Sequence, residues 1–343
     1  MRKLLNTLFV LSQDRYLALE GETVVVRAEK ETVGRFPLHN LEGIVTFGHA
    51  GASPALMGAC AKKGISLMFM TGSGRFLASV TGEMKGNVIL RKEQYRISDS
   101  EERSAKIARN MIVGKVFNAK WVLQRAVRDH ALQVNVEAIK VVSENLDKEL
   151  KSLEQSVVIS EIIGLEGNCA SQYFSVFDEL ILNNKEDFYF RQRNRRPPLD
   201  NVNAMLSFVY TLLANDCAAA LSSVGLDPYV GFLHQDRPGR VSLALDLMEE
   251  LRAVLADRFV LTLINRREIT GDDFVLKENG AVLMSDEGRK TILNAWWNRK
   301  KELLKHPFLE EKIEWGLVPY TQALLLARYI RGDLDEYPVF LWK

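Results

Sequence analysis

The chain has 343 residues, 47% hydrophobic and 26% charged, with a formal net charge of +1. That suits an ordinary globular protein of about two domains. It excludes a chain drawn to nucleic acid by its overall field, so any polyanion site must be local and built from clustered arginines.

The first 98 residues carry 13 Lys or Arg against 8 Asp or Glu, so the basic excess lies at this end. Cys60, Cys169 and Cys217 form no CxxC pair, which suggests neither a zinc knuckle nor a disulfide framework. The opening MRKLLNTLFVLSQDR is broken by Asn6 and Thr7 and lacks a small-residue cleavage site. It reads as a first strand. No apolar stretch is expected to be long enough to span a membrane, so the expected location is cytoplasmic with no membrane partner.

From Leu5 to about Val80 the signals are mostly β. YLALEGETVVV (Tyr16–Val26) reads as two strands around a Glu-Gly turn, with further strands at Thr32–Phe36 and Gly43–Phe47. Ser53-Pro54 caps a helix that ends at Gly64. A strand over Ile65–Met70, a turn at Thr71–Gly74 and a last strand over Phe76–Thr81 follow. Strands with one small helix predict a compact β domain rather than a repeated βαβ fold. His39 and His49 have no carboxylate partners at a recognisable spacing.

After about Arg96 the texture changes. Glu101–His130 and Leu132–Leu153 are long, charged and periodic, and read as amphipathic helices. The expected class is α+β: a small N-terminal β-rich domain, residues 1–90, followed by a larger all-α domain, residues 91–343.

Three stretches of the helical part stand out. In VVISEIIGLEGNCASQYFSVFDELIL (Val157–Leu182), Glu166 sits among Gly164, Gly167, Cys169 and Ala170. Small residues admit a neighbouring helix, and a confined carboxylate needs a partner. In FRQRNRRPPLDNVNAMLSFVYTLL (Phe190–Leu213), Arg191, Arg193, Arg195 and Arg196 form a basic run before a helix capped by Asp200. Arginine grips phosphate bidentately, and Arg237, Arg240, Arg266 and Arg267 add to the set.

In GFLHQDRPGRVSLALDLMEELRAVLADR (Gly231–Arg258), His234 precedes a helix whose Leu243, Leu247, Leu251, Val254 and Leu255 form the apolar stripe. Asp246, Glu249, Glu250 and Ala253 fall on its other side. Acids on such a face are ordinarily just solvated, but one imidazole and two carboxylates also suit a divalent metal. Asp286–Leu304 and Thr321–Arg331 read as further helices. Trp296, Trp297 and Trp315 fit a core better than base stacking. EYPVFLWK (Glu336–Lys343) is an apolar tail expected to dock.

GLEGNCASQYF, RRPPLDNVNAMLSFVYTLL and GFLHQDRPGRVSLALDLMEELR, in this order, resemble the signatures of the CRISPR-associated adaptation integrase, most closely its type I-C branch. LLNTLFVLSQDRYLALEGETVVV and HNLEGIVTFG also resemble that family. The resemblance implies metal ligands at Glu166, His234 and Glu249, with Asp246 as a further candidate, and catalysis by the same residues. Asn168, Tyr173, Arg195, Asn203 and Arg237 lie in the motifs without assigned roles.

It also implies Mg²⁺ or Mn²⁺, a homodimer joined through the β domain, double-stranded DNA (spacer precursor and CRISPR repeat), and a small ferredoxin-like adaptation subunit. The implied chemistry is phosphodiester cleavage and strand transfer by a DNA 3′-hydroxyl, with His234 neutral at the metal, so that activity falls as the ring protonates. Two other functions remain open: a zinc hydrolase of another substrate using the same three residues, and a non-catalytic DNA-binding scaffold.

Overall fold

Short apolar runs between turn-forming residues build the first part of the chain. Its elements are β1 (Thr7–Val10), β2 (Arg15–Glu20), β3 (Thr23–Ala28), β4 (Glu31–Pro37), β5 (Gly43–Phe47), α1 (Pro54–Lys63), β6 (Ser66–Met70) and β7 (Phe76–Val80). Strands β2, β3 and β4 form an antiparallel meander. The β2–β3 turn pairs Glu20 with Thr23 and places Gly21 at φ +58°, where a residue without Cβ meets no strain.

The second sheet has the order β1-β5-β6-β7. Strands β1, β5 and β6 are parallel and β7 is antiparallel. One βαβ unit, β5–α1–β6, therefore lies within the β domain, although the pattern is not repeated. Ser53 Oγ accepts from Leu56 N at 3.2 Å to start α1, and Gly64 ends it at φ +69°. Leu17, Val24, Ile44, Leu56 and Leu67 form its core and are fully buried.

The computed structural model describes residues 7–343 apart from 11, 13, 30, 42, 50, 72–75 and 81–87. The start of the expected first strand at Leu5 and the turn at Gly72–Gly74 lie outside the described residues. The backbone divides into two units: Met1–Lys85 with Arg289–Lys301, and Gly86–Gly288 with Glu302–Lys343. A single cut at residue 90 does not anticipate that residues 289–301 belong with the first unit.

The larger unit is mostly helical. It holds α2 (Val88–Ser98), α3 (Glu101–His130), α4 (Val136–Gln155), α5 (Ile159–Ser175), α6 (Asn201–Ser223), α7 (Ser242–Glu249) and α8 (Arg258–Asn265). Next come β8 (Phe274–Leu276), β9 (Val282–Met284) and the start of α9 (Asp286–Lys301), then β10 (Leu303–Lys305), β11 (Lys312–Glu314) and α10 (Val318–Ile330). The unit is thus not purely α: β8–β9 and β10–β11 are short antiparallel pairs. The helix expected over Asp286–Leu304 stops at Lys301, and Leu303 starts β10.

Helix α3 is the long organiser, packing on both α4 and α5. Ser100 caps it, as Asn135 caps α4, so α4 starts later than the expected Leu132. The expectation about membrane spans needs correcting for α6. Its 23 residues are long and apolar enough by length and composition, but 61% of the apolar window is buried inside the protein, as in a core helix.

Candidate metal centre

The expected helix over 242–258 is interrupted. Helix α7 ends at Glu249, a wider π-helical turn spans Arg252–Asp257, and α8 follows. Its second side is not solvated either, since Asp246, Glu249, Glu250 and Ala253 are all buried. Each buried acid therefore needs its own partners.

Asp246 finds them in the loop before the helix. Its Oδ2 accepts from Phe232 N at 2.6 Å and Leu233 N at 3.0 Å, and its Oδ1 accepts from His234 N at 3.0 Å. The same Oδ1 lies 2.6 Å from His234 Nδ1. Gly231 makes this wrap feasible, because a Cβ there would lie 2.8 Å from Asp246 Oδ2. Both oxygens of Asp246 are engaged, and one of them holds the imidazole. A carboxylate on Nδ1 fixes the tautomer that leaves Nε2 for a ligand.

Glu249 turns to two cations instead. Arg252 NH1 reaches its two oxygens at 2.8 and 3.0 Å, and Lys115 Nζ lies 2.7 Å from Oε2. Burial alone would raise this carboxyl, but the charges of Arg252 and Lys115 outweigh it and hold it down at about 2.

Glu166, on α5, pairs with the same Lys115 Nζ. The side chains of Lys115, Glu249, Glu166 and His234 are 12%, 6%, 26% and 24% exposed, so the group sits at the edge of the core and is open on the Glu166 and His234 side. The partner demanded for Glu166 is thus a lysine of α3. The reason expected for its confinement is different, however. Gly164 and Gly167 are exposed, and a Cβ on either would meet nothing within 4 Å, so these glycines leave open space instead of admitting a helix.

The structure therefore brings Glu166 and Glu249 onto one ammonium, while the His234 ring is held by Asp246. Among the described residues, no three His, Cys, Asp or Glu side chains converge tightly enough to hold an ion as they stand. The donor set still suits a hard divalent cation: two carboxylates and an imidazole nitrogen, with a positive charge already lodged between the acids.

Lys115 and Arg252 were not picked out from the sequence. A signal for Lys115 existed: it falls at helical spacing in the row Met111, Lys115, Ala119, Val122, whose other members are buried. Arg252 lies one turn after Glu249 and sits 4.4 Å above the Tyr210 ring.

The arginine run divides. Arg191, Arg195, Arg196 and Arg237 are exposed and Arg240 is half-buried. Arg193 turns inward, giving NH1 to Asn203 Oδ1 at 2.6 Å and NH2 to Ser207 Oγ at 3.1 Å. Asn203 is itself buried against the capping Asp200, so Arg193 pins the loop to α6. Among the described residues, no hydrogen bond or ion pair joins the run to Arg237 or Arg240.

The sequence profile of the family described as "CRISPR associated protein Cas1" matches residues 8–298. The chain is 49% identical to "CRISPR-associated endonuclease Cas1 1" of Chlorobaculum tepidum, over 100% of both chains. It is 50% identical to "CRISPR-associated endonuclease Cas1 2" of Rhodospirillum rubrum, again over 100% of both. Among solved structures, a "Casposase bound to integration product" superposes with a TM-score of 0.83 at 24% identity, covering 96% of this chain and 92% of that one. The chain belongs to the CRISPR-associated Cas1 family.

Proposed function

We propose that the chain is a metal-dependent DNA endonuclease and integrase that inserts new spacer DNA into a CRISPR array. The observation that carries this is the meeting of Glu166 and Glu249 at one cation position, in a chain whose near relatives carry the name endonuclease.

On this reading Glu166, Glu249 and the His234 ring hold Mg²⁺ or Mn²⁺. When bound there, such an ion would supply charge neutralisation at the reacting phosphate and orientation of the attacking hydroxyl, a DNA 3′-OH for joining or water for cleavage. Asp246 keeps the His234 ring aimed, and Arg252 keeps Glu249 ionised and fixed. Exposed Arg191, Arg195, Arg196 and Arg237 take DNA phosphates, with Arg240 at the margin. Arg193 acts through the loop it pins. The first unit joins two copies into a homodimer, a small ferredoxin-like subunit bridges dimers, and the protein works in the cytoplasm.

A half-site integration assay tests the reading. Labelled duplex should join a repeat-containing plasmid with Mg²⁺ or Mn²⁺, and joining should vanish in Glu166→Ala. Normal DNA binding without joining or cleavage under any metal would instead favour a scaffold.

A further inference from the structure

We propose that the Lys115 ammonium is a resident counter-ion standing where the divalent cation binds, so that metal loading is a cation exchange that displaces Lys115 from Glu166 and Glu249. This rests on the metal reading above. The two acids come from different helices, α5 and α7, and what they share is a lysine from a third, α3. An ammonium in contact with both carboxylates and a divalent ion bound to the same oxygens would be like charges a few ångströms apart, which repel strongly at a largely buried site.

One of the two cations on Glu249 must therefore yield, and the geometry points to Lys115. Arg252 approaches Glu249 through NH1 and is fixed by its stacking 4.4 Å from the Tyr210 ring. Its planar guanidinium is held on two sides. Lys115 carries a point charge on a flexible four-carbon stem and can swing aside without unpacking a ring. In the metal-free protein the same lysine pairs with two acids on two helices that each pack on α3.

The test is calorimetric binding of Mn²⁺ alone to the full chain, free of DNA, for the native protein and for Lys115→Met, Lys115→Arg and Glu166→Ala. Folding of each is checked first by circular dichroism, and Lys115→Gln replaces the methionine variant if that fails to fold. Removing the competing charge should tighten Mn²⁺ binding by about tenfold or more. Lys115→Arg, which keeps the charge, should bind no tighter than the native chain, and Glu166→Ala should lose the site.

Binding by Lys115→Met that is equal to or weaker than native overturns the proposal while leaving the metal reading intact. Equal tightening by Lys115→Arg also overturns it, because the charge would not be the cause. No Mn²⁺ binding by either the native chain or Lys115→Met overturns the metal reading and this proposal with it.

Discussion

Glu249 and Glu250 are consecutive and both buried, yet their surroundings drive them in opposite directions. Around Glu249 are two full positive charges, and the carboxyl is held down at about 2 despite burial. Around Glu250 are only neutral donors: Tyr337 Oη at 2.5 Å, Phe340 N at 2.6 Å and Gln322 Nε2 at 3.2 Å. Burial pushes that carboxyl up to about 7, against the pull of these hydrogen bonds.

Desolvation is common to both, so the partners make the difference. An anion kept by cations can exchange one of them for a metal. A carboxyl held only by dipoles works as a clamp, and here it holds the C-terminal tail. Asn118 of α3 completes the clamp, donating to Glu250 O and Phe340 O at 2.7 Å and accepting from Trp342 N at 2.9 Å.

The sharpest way to break the contrast is Glu249→Ala. It would leave Arg252 without its buried carboxylate and Lys115 with Glu166 alone, and should cost about 3–5 kcal/mol in denaturant unfolding, as well as abolishing joining. A loss below about 1 kcal/mol, within the range of exposed ion pairs, would show that the two cations do not depend on Glu249.

The pH dependence of unfolding tests both acids at once. Glu250 is raised in the folded state, so its contribution is complete below the unfolded value of 4.5 and declines as pH rises towards about 7. Glu249 is lowered, so its contribution is complete above 4.5 and declines as pH falls towards about 2. Glu250→Gln should remove up to about 3 kcal/mol of the decline on the neutral side and leave the acid side unchanged. Parallel native and variant profiles between pH 4.5 and 7 would contradict the assignment.

Gly114→Ala probes the clamp by shape alone. A Cβ there would lie 2.3 Å from Val339 Cγ2 and 2.9 Å from Glu250 Cβ. The tail must shift, at a cost of about 1–3 kcal/mol, and limited proteolysis should then release it. A tail as resistant as the native one would show that the close approach does not matter.

The smallest effect is expected on the surface. Replacing Arg195 and Arg196 together by Ala should weaken DNA binding and lower its salt slope by about 2, if each arginine meets one phosphate. An unchanged slope would mean that this run does not touch DNA.

Local signals carried much of the fold. The caps Ser53 and Asp200 and the ending Gly64 mark real helix ends, because each acts within a few residues of itself. The site was legible in part. Glu166, His234 and Glu249 came from motif resemblance, and nothing local revealed that Lys115 joins two of them. Its meaning depends on α3 packing against α5 and α7, which lie far along the chain.

Glu250 was misplaced on a solvated face because amphipathic periodicity assumes that one side of a helix meets water. Here the tail and Gln322 of α10 cover that side. Gly164 and Gly167 show the reverse error, since small residues permit close packing but do not require it.

The central claim is tested most directly by anomalous diffraction from Mn²⁺-soaked crystals of the full chain. One manganese peak bonded to Glu166, Glu249 and His234 Nε2 is the result this account predicts. Manganese bound elsewhere, or bound without Glu166, would contradict it.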